Sequence, residues 1–132
     1  MKKMLFPQPH RYVPAGRWVR ILLRTWHLAS MAFLVGAVAQ GAALHSLSGA
    51  LWGLVLSGGI YVAVELYTSC VFMLQLKGLA VVAKFLLMGA ASAHPENAVP
   101  YLLVAIIIGG ISSHMSGRYR YYSIFHGRVV KE

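Results

Sequence analysis

The stretch Val19–Leu44, VRILLRTWHLASMAFLVGAVAQGAAL, decides the fold class of this chain. It is longer than the roughly 20 apolar residues that a helix needs to cross a bilayer. Its ionisable side chains, Arg20, Arg24 and His27, all lie in the first half, so the second half is uninterrupted. The stretch therefore predicts a membrane-spanning helix.

Three further apolar stretches follow: Ala50–Leu74, Leu79–Ala93 and Val99–Ser113. The last two are short and need a few interfacial residues at their ends to span a bilayer. The 132-residue chain is 58% hydrophobic and only 11% charged, whereas about a quarter of the residues of a soluble domain are charged. We predict an all-α, four-helix transmembrane bundle in residues 19–115, between a basic arm, 1–18, and a basic tail, 116–132.

Apart from Lys84, within the third apolar stretch, lysine and arginine lie on one predicted side of the membrane. They lie in the N-terminal arm and the start of the first helix, in the second connection at Lys77, and in the C-terminal tail. The first and third connections contain neither residue. Because cytoplasmic segments carry the excess of Lys and Arg, we expect both termini in the cytoplasm, in a multi-pass protein of the bacterial inner membrane. The net charge of +9 then faces anionic lipid headgroups and needs no nucleic acid partner.

The composition excludes several kinds of site. Aspartate is absent and the acidic residues are Glu65, Glu96 and Glu132, which excludes paired carboxylates close in sequence and oxygen-ligand cages for Ca²⁺ or Mg²⁺. The single cysteine, Cys70, excludes an internal disulfide and a cysteine-cluster metal site. The chain has no room for a soluble catalytic domain, so we interpret it as an electron-transfer subunit rather than a self-contained enzyme.

Two histidines, His27 and His114, are predicted at similar depth in the cytoplasmic half of the membrane. His27 lies about 4.5 Å beyond Arg24 along the first helix, and His114 about 6 Å before Arg118 at the end of the fourth. Two imidazoles at one level on different helices can form an axial pair for the iron of haem b. The haem propionates would then meet four arginines: Arg20, Arg24, Arg118 and Arg120. The alternative is that each histidine makes a separate hydrogen bond between helices, without a cofactor.

A second pair, His45 and His94, is predicted at the outer surface, where the first and third helices end. His45 lies about 27 Å from His27 along the helix. That separation is wide for two haems in one small bundle, so we expect one haem. The outer pair could bind copper or zinc weakly, since imidazole suits both metals, or remain interfacial without a ligand.

Glu65 and Lys84 are ionisable residues within the second and third apolar stretches. Ionisable side chains at membrane depth are costly and are functional hypotheses by default. The turn between these two helices is tight. We therefore predict that Glu65 and Lys84 form an intramembrane ion pair, which lowers the desolvation cost of both. A proton relay and contact with a quinone are the alternatives.

The segment Arg24–Gly36, RTWHLASMAFLVG, resembles the first helix of small bacterial membrane proteins related to the CopD copper-resistance family. Ser57-Gly58 in the second helix and Lys84 in the third are similar to that family's Ser-Gly and Lys positions. The same layout resembles four-helix b-type cytochromes. The resemblance covers the first three helices and implies an inner-membrane protein that handles haem or copper.

Three functions therefore stay open. The first is a b-type cytochrome, or a haem-bearing membrane anchor subunit, that passes electrons between the quinone pool and a redox partner. The second, implied by the resemblance, is a copper-handling protein that would use His45 and His94 outside and His114, Met115 and Cys70 inside. The third is a cofactor-free structural subunit. A bundle this small is expected to form a homo-oligomer or to dock on another membrane subunit.

Overall fold

The computed structural model describes residues 12–68 and 70–129, and most of them lie in four long helices. These are α1, Gly16–Ala39; α2, Ser48–Thr68; α3, Leu76–Ala93; and α4, Ala98–His114. A 3₁₀ turn, Leu44–Leu47, leads into α2, and a second, Pro95–Asn97, leads into α4. With these turns included, all four helices are long and apolar enough to cross a membrane. The predicted four-helix, all-α fold class is confirmed, and the chain is a multi-pass membrane protein.

The helices are arranged as two hairpins. α1 packs along α2, α3 packs along α4, and α1 also contacts α4. The start of α1, the end of α2, the start of α3 and the segment after α4 meet at one end, through the contacts of Glu65 with Arg20 and Lys77 and of Lys77 with Tyr121. We call this the basic end. That it faces the cytoplasm remains a prediction from the charge pattern.

The apolar core fills the half of the bundle that lies away from the basic end. Leu34 of α1 and Leu102 of α4 have no exposed surface, and Leu54 of α2 packs in the same cluster. Many large apolar side chains point outward instead, among them Phe33 at 64% exposure and Leu86 at 71%. In a bilayer these outward faces contact lipid, which is why a chain with so small a core can still be ordered.

The connection between α2 and α3 is longer than the sequence predicted. α2 ends at Thr68 rather than at Leu74, and α3 begins at Leu76 rather than at Leu79. Between them lie a single helical turn, Val71–Leu74, and the extended residue Gln75. Gly78 packs directly on the backbone carbonyl of Phe72, where a Cβ atom would clash. The missing side chain at Gly78 is therefore what allows the turn Val71–Leu74 to fold against the start of α3.

The C-terminal segment folds back onto that connection. After a helical turn, Gly117–Arg120, the strands β1, Tyr122–Ser123, and β2, Arg128–Val129, form a short antiparallel hairpin. Gly127 closes the hairpin with a φ of 59°, a conformation that glycine adopts without strain. Ser123 also pairs with Gln75, and both are fully buried. Residues 1–11 of the predicted arm and 130–132 of the predicted tail lie outside the described residues.

Candidate functional site

A continuous line of polar side chains runs along the contact between α1 and α2, in the half of the bundle near the basic end. On each helix these residues recur every three or four positions, so they share one face. Because the two helices are antiparallel, each polar residue of α1 faces polar residues of α2. We call each of these sets of contacts a rung. We call this line the polar seam; it comprises Arg20, Arg24 and His27 of α1 and Ser57, Tyr61, Glu65 and Thr68 of α2.

The rung nearest the basic end is an ion-pair network around Glu65, which is only 5% exposed. Arg20 donates from Nε to Oε1 of Glu65 at 2.6 Å and from Nη2 to Oγ1 of Thr68 at 3.1 Å. Nζ of Lys77, in α3, lies 3.7 Å from Oε2 of Glu65. Two cations on different helices thus satisfy the two oxygens of one buried carboxylate, which offsets the cost of removing its charge from water.

The predicted ion pair between Glu65 and Lys84 is wrong, because the pairing partners of Glu65 are Arg20 and Lys77. The early end of α2 explains the error. It places Glu65 one turn from the basic end, beside Lys77, whereas Lys84 lies two turns farther along α3, about 10.5 Å away along the axis. Lys84 instead lies against α4, where its Nζ is 3.9 Å from the position that a Cβ atom on Gly109 would occupy.

The middle rung joins Arg24 to Tyr61. Arg24 donates from Nη2 to the hydroxyl of Tyr61, and its guanidinium also lies over the tyrosine ring, 5.0 Å from the ring centre. The phenol is a neutral acceptor, so this contact orients the guanidinium without neutralising its charge. Arg24 is exposed on the outside of the described bundle.

The inner rung fixes the ring of His27. Its Nδ1 lies 3.1 Å from the backbone carbonyl of Leu54 and 3.2 Å from Oγ of Ser57, and that hydroxyl donates to the carbonyl of Gly53 at 2.7 Å. A carbonyl can only accept, so the hydrogen-bond pattern assigns the proton to Nδ1. In the neutral ring the lone pair is then on Nε2, where it is available to a metal.

Small residues on α2 make this close approach to His27 possible. A Cβ atom on Gly58 would lie 3.0 Å from Cε1 of His27, and one on Gly53 would lie 2.8 Å from Oγ of Ser30. Both distances are below ordinary van der Waals contact. The glycines therefore bring α2 close enough for its backbone carbonyl at Leu54 to reach the imidazole.

The other predicted site residues lie apart from the polar seam. His114, the last residue of α4, is exposed, and no hydrogen bond joins it to His27 among the described residues. Arg118 is exposed, and Arg120 donates from Nη2 to the carbonyl of Ser113 at 2.7 Å. All three are at the basic end, as is the start of the seam.

The outer histidines lie in the connections at the opposite end. His45 is exposed in the turn before α2, and Nδ1 of His94 lies 3.5 Å from Oε1 of Glu96, with both side chains exposed. Within 12–68 and 70–129, no three His, Cys, Asp or Glu side chains are grouped so as to hold a metal ion. The thiol of Cys70 makes a long contact, 3.9 Å, with the carbonyl of Leu66. Met115 is only partly buried, just after the end of α4.

Sequence reasoning missed three members of this site: Tyr61, Thr68 and Lys77. Tyr61 follows Ser57 by four residues and precedes Glu65 by four, which is the spacing of one helix face. That periodicity could have identified the polar face of α2. The sequence analysis takes Lys77 only as evidence for the orientation in the membrane. Its contact with Glu65 could not be predicted, because that contact depends on where α2 ends.

Comparison with known proteins leaves the family open. No family model, curated protein or solved structure matches this chain. The resemblance to CopD-related proteins and b-type cytochromes therefore remains a prediction from short motifs.

Proposed function

We propose that this protein is a haem-binding subunit of a bacterial inner membrane that passes electrons between the quinone pool and a redox partner. Haem b, when bound, supplies reversible one-electron transfer at its iron. In this proposal His27 and His114 would be the two protein ligands that hold the haem iron. The chain itself would hold, orient and shield the cofactor, and any substrate chemistry would belong to a partner subunit.

The hydrogen bond from Nδ1 of His27 to the carbonyl of Leu54 carries this proposal. Metal-ligating histidines commonly donate their second ring N–H to a carbonyl or carboxylate, which fixes the tautomer and orients the ring. His27 has this arrangement on a glycine-rich helix contact at membrane depth.

The arginines of α1 are also suitably placed for a haem. Arg24 and Arg20 lie one and two turns from His27, on the same face and toward the basic end. Guanidinium groups bind carboxylates through charge-assisted hydrogen bonds, so Arg24 is a candidate partner for a haem propionate. Arg20 already pairs with Glu65, so its role would be to hold α1 in register rather than to bind the propionate.

A haem held in this way would lie at the edge of the bundle rather than in its centre. The side chain of His27 is only half-buried and that of His114 is exposed. The edge of the ring would then be accessible from the lipid phase, where a quinone or a second membrane subunit could approach. Glu65 and Lys84, proposed from the sequence as quinone or proton contacts, lie on the same half of the bundle.

The test is an optical spectrum of detergent-purified protein produced with ample haem. We expect a Soret band that shifts on reduction with dithionite, with sharp α and β bands typical of low-spin haem. His27→Ala and His114→Ala should each lose haem, whereas the control His94→Ala, at the opposite end, should retain it. A colourless wild-type protein, or haem retained in His27→Ala, would contradict the proposal.

A cofactor-free structural subunit is the second candidate. The hydrogen bond from Nδ1 of His27 to the carbonyl of Leu54 also favours this candidate, because it ties α1 to α2 without any cofactor. In that case the purified protein is colourless, and His27→Ala lowers its thermal stability. Loss of haem and loss of stability are separate measurements, so the two candidates can be distinguished on one set of variants.

A further inference from the structure

A pocket of about 420 Å³ lies at the basic end, between the start of α1 and the end of α2. Two arginines of α1, Arg17 and Arg20, line it together with Thr68 of α2. The remaining lining residues are Tyr12, Val13, Ala15 and Gly16. None of these residues is acidic, and the side chains of Tyr12 and Arg17 are exposed, so the pocket opens to the surroundings of the bundle.

The turn Val13–Gly16 forms one side of the pocket. Ala15 has a left-handed backbone, with a φ of 52°, and the N–H of Gly16 donates to the carbonyl of Val13 at 2.9 Å. A Cβ atom on Gly16 would lie 3.1 Å from Cβ of Val13 and 3.2 Å from Nη1 of Arg20. The missing side chain therefore lets the guanidinium of Arg20 lie against this turn.

Two of the three guanidinium nitrogens of Arg20 are fixed by hydrogen bonds. Nε donates to Oε1 of Glu65 at 2.6 Å, and Nη2 donates to Oγ1 of Thr68 at 3.1 Å. Nη1, beside Gly16, makes no hydrogen bond within residues 12–68 and 70–129. Arg17, which precedes Arg20 by three residues on the same face of α1, has neither a hydrogen bond nor an ion pair in that part of the chain. The pocket therefore contains one oriented guanidinium with free donors and a second that is unpaired.

The charge around the pocket is positive. Glu65 is shared by Arg20 and Lys77, and Arg17 adds a third cation, so three positive charges accompany one negative charge. The segment that precedes the pocket, residues 1–11, contains three Lys or Arg residues and no acidic one. An anion is therefore the ligand that this charge distribution favours.

The level of the pocket in the membrane is that of lipid headgroups. α1 has 24 residues and is about 36 Å long, whereas the hydrocarbon core of a bilayer is about 30 Å thick. The ends of α1 therefore extend into the headgroup region, and Arg17 lies in its first turn. Trp18, an aromatic residue typical of this region, is exposed there. Ile21 and Leu22, one turn farther in, are also exposed and offer an apolar surface to an acyl chain.

We propose that this pocket binds the phosphate group of an anionic phospholipid. Arg17 and Nη1 of Arg20 donate charge-assisted hydrogen bonds to the phosphate oxygens, for which the planar guanidinium is well suited. The acyl chains then follow the outward face of α1 past Ile21. The bound lipid adds a link between the start of α1 and the end of α2, and it does so whether or not the protein holds haem.

The experiment compares lipid binding by the wild type, Arg17→Gln and Thr68→Val in the full-length protein. Thr68→Val leaves every charge in place but removes the hydroxyl that holds Nη2 of Arg20. Arg128→Gln is the matched control, because Arg128 is an exposed arginine of the C-terminal hairpin that does not line the pocket. Each variant is first required to elute as the wild type does in size-exclusion chromatography. Native mass spectrometry then measures the retention of phosphatidylglycerol relative to phosphatidylcholine, with and without an excess of inorganic phosphate.

We expect the wild type to prefer phosphatidylglycerol. Arg17→Gln should lower that preference by about fivefold or more, as for the loss of a charge-assisted hydrogen bond, and Thr68→Val should lower it by about twofold, because Arg20 is then held by Glu65 alone. Arg128→Gln should stay near the wild type.

The inference is overturned if the wild type shows no preference, if either pocket variant keeps it, or if Arg128→Gln lowers it as much as Arg17→Gln does. Displacement of phosphatidylglycerol by inorganic phosphate would assign the pocket to a soluble anion and would overturn the inference as well. None of these outcomes depends on bound haem, so a failure here is distinguishable from a failure of the proposed function.

Discussion

Nε of Arg20 lies 2.6 Å from Oε1 of Glu65, and this ion pair joins the first helix to the second at the basic end. The side chain of Glu65 is 6% exposed, and Lys77 approaches its second oxygen from the third helix. One carboxylate therefore links three helices. Its neutralisation should weaken the whole end of the bundle rather than a single contact.

Glu65→Gln is expected to lower the free energy of unfolding by about 2 kcal/mol, because it leaves Arg20 and Lys77 without their shared anion. The value is below that for a fully buried pair, since the side chain of Arg20 is 28% exposed. Circular dichroism during denaturation of the detergent-solubilised protein measures it. Glu96→Gln, an exposed residue at the opposite end, serves as the control and should change stability by less than about 0.5 kcal/mol. Equal stability of both variants would show that Glu65 does not have this linking role.

Gly58→Ala is expected to displace the ring of His27, since the new methyl group would lie 3.0 Å from Cε1. The expected cost is about 1–2 kcal/mol of stability. If haem is bound, its retention should fall as well. Gly59→Ala is a matched control, because a Cβ there meets nothing within 4 Å. An identical effect of the two substitutions would mean that the contact with His27 does not determine the helix spacing.

Tyr121→Leu is expected to loosen the C-terminal hairpin from the start of α3. Nζ of Lys77 lies 5.1 Å from the centre of the Tyr121 ring, and a partly exposed cation–π contact contributes about 0.5–1 kcal/mol. Limited proteolysis of the tail should become faster by a few-fold. Tyr119→Leu, at a ring that is 60% exposed, is the comparison and should leave the rate unchanged. Equal cleavage rates for the two variants would argue against docking of the tail through Lys77.

The orientation of the bundle can be measured with single cysteines in a Cys70→Ser background. Ser46 is exposed in the turn before α2, and Ser116 is exposed at the basic end. The distribution of Lys and Arg predicts that Ser46→Cys reacts with a membrane-impermeant maleimide added outside intact spheroplasts, while Ser116→Cys reacts only after permeabilisation. The reverse labelling pattern would place the basic end outside.

Sequence reasoning found individual residues of the candidate site but not their pairing. His27, Arg20, Arg24 and Glu65 stood out because ionisable side chains are rare in apolar stretches, and that rarity can be read locally. The partner of Glu65 was predicted wrongly. The prediction depended on the end of α2, because a helix that continued to Leu74 would place Glu65 deeper in the membrane than one that ends at Thr68. The role of Tyr61 was missed because an isolated tyrosine in an apolar helix has many possible environments.

The amino-acid sequence by itself determined that four helices form and that their outer faces are apolar, because span length and hydropathy are properties of each segment alone. It also determined the segregation of positive charge on which the orientation prediction rests. Only the tertiary structure decided which polar residues meet. The packing of α1 against α2, the close approach at Gly58 and the end of α2 at Thr68 bring Glu65 to Arg20 and Lys77, and leave Lys84 outside that ion-pair network. These contacts depend on packing between segments distant in the chain, so no local pattern encodes them.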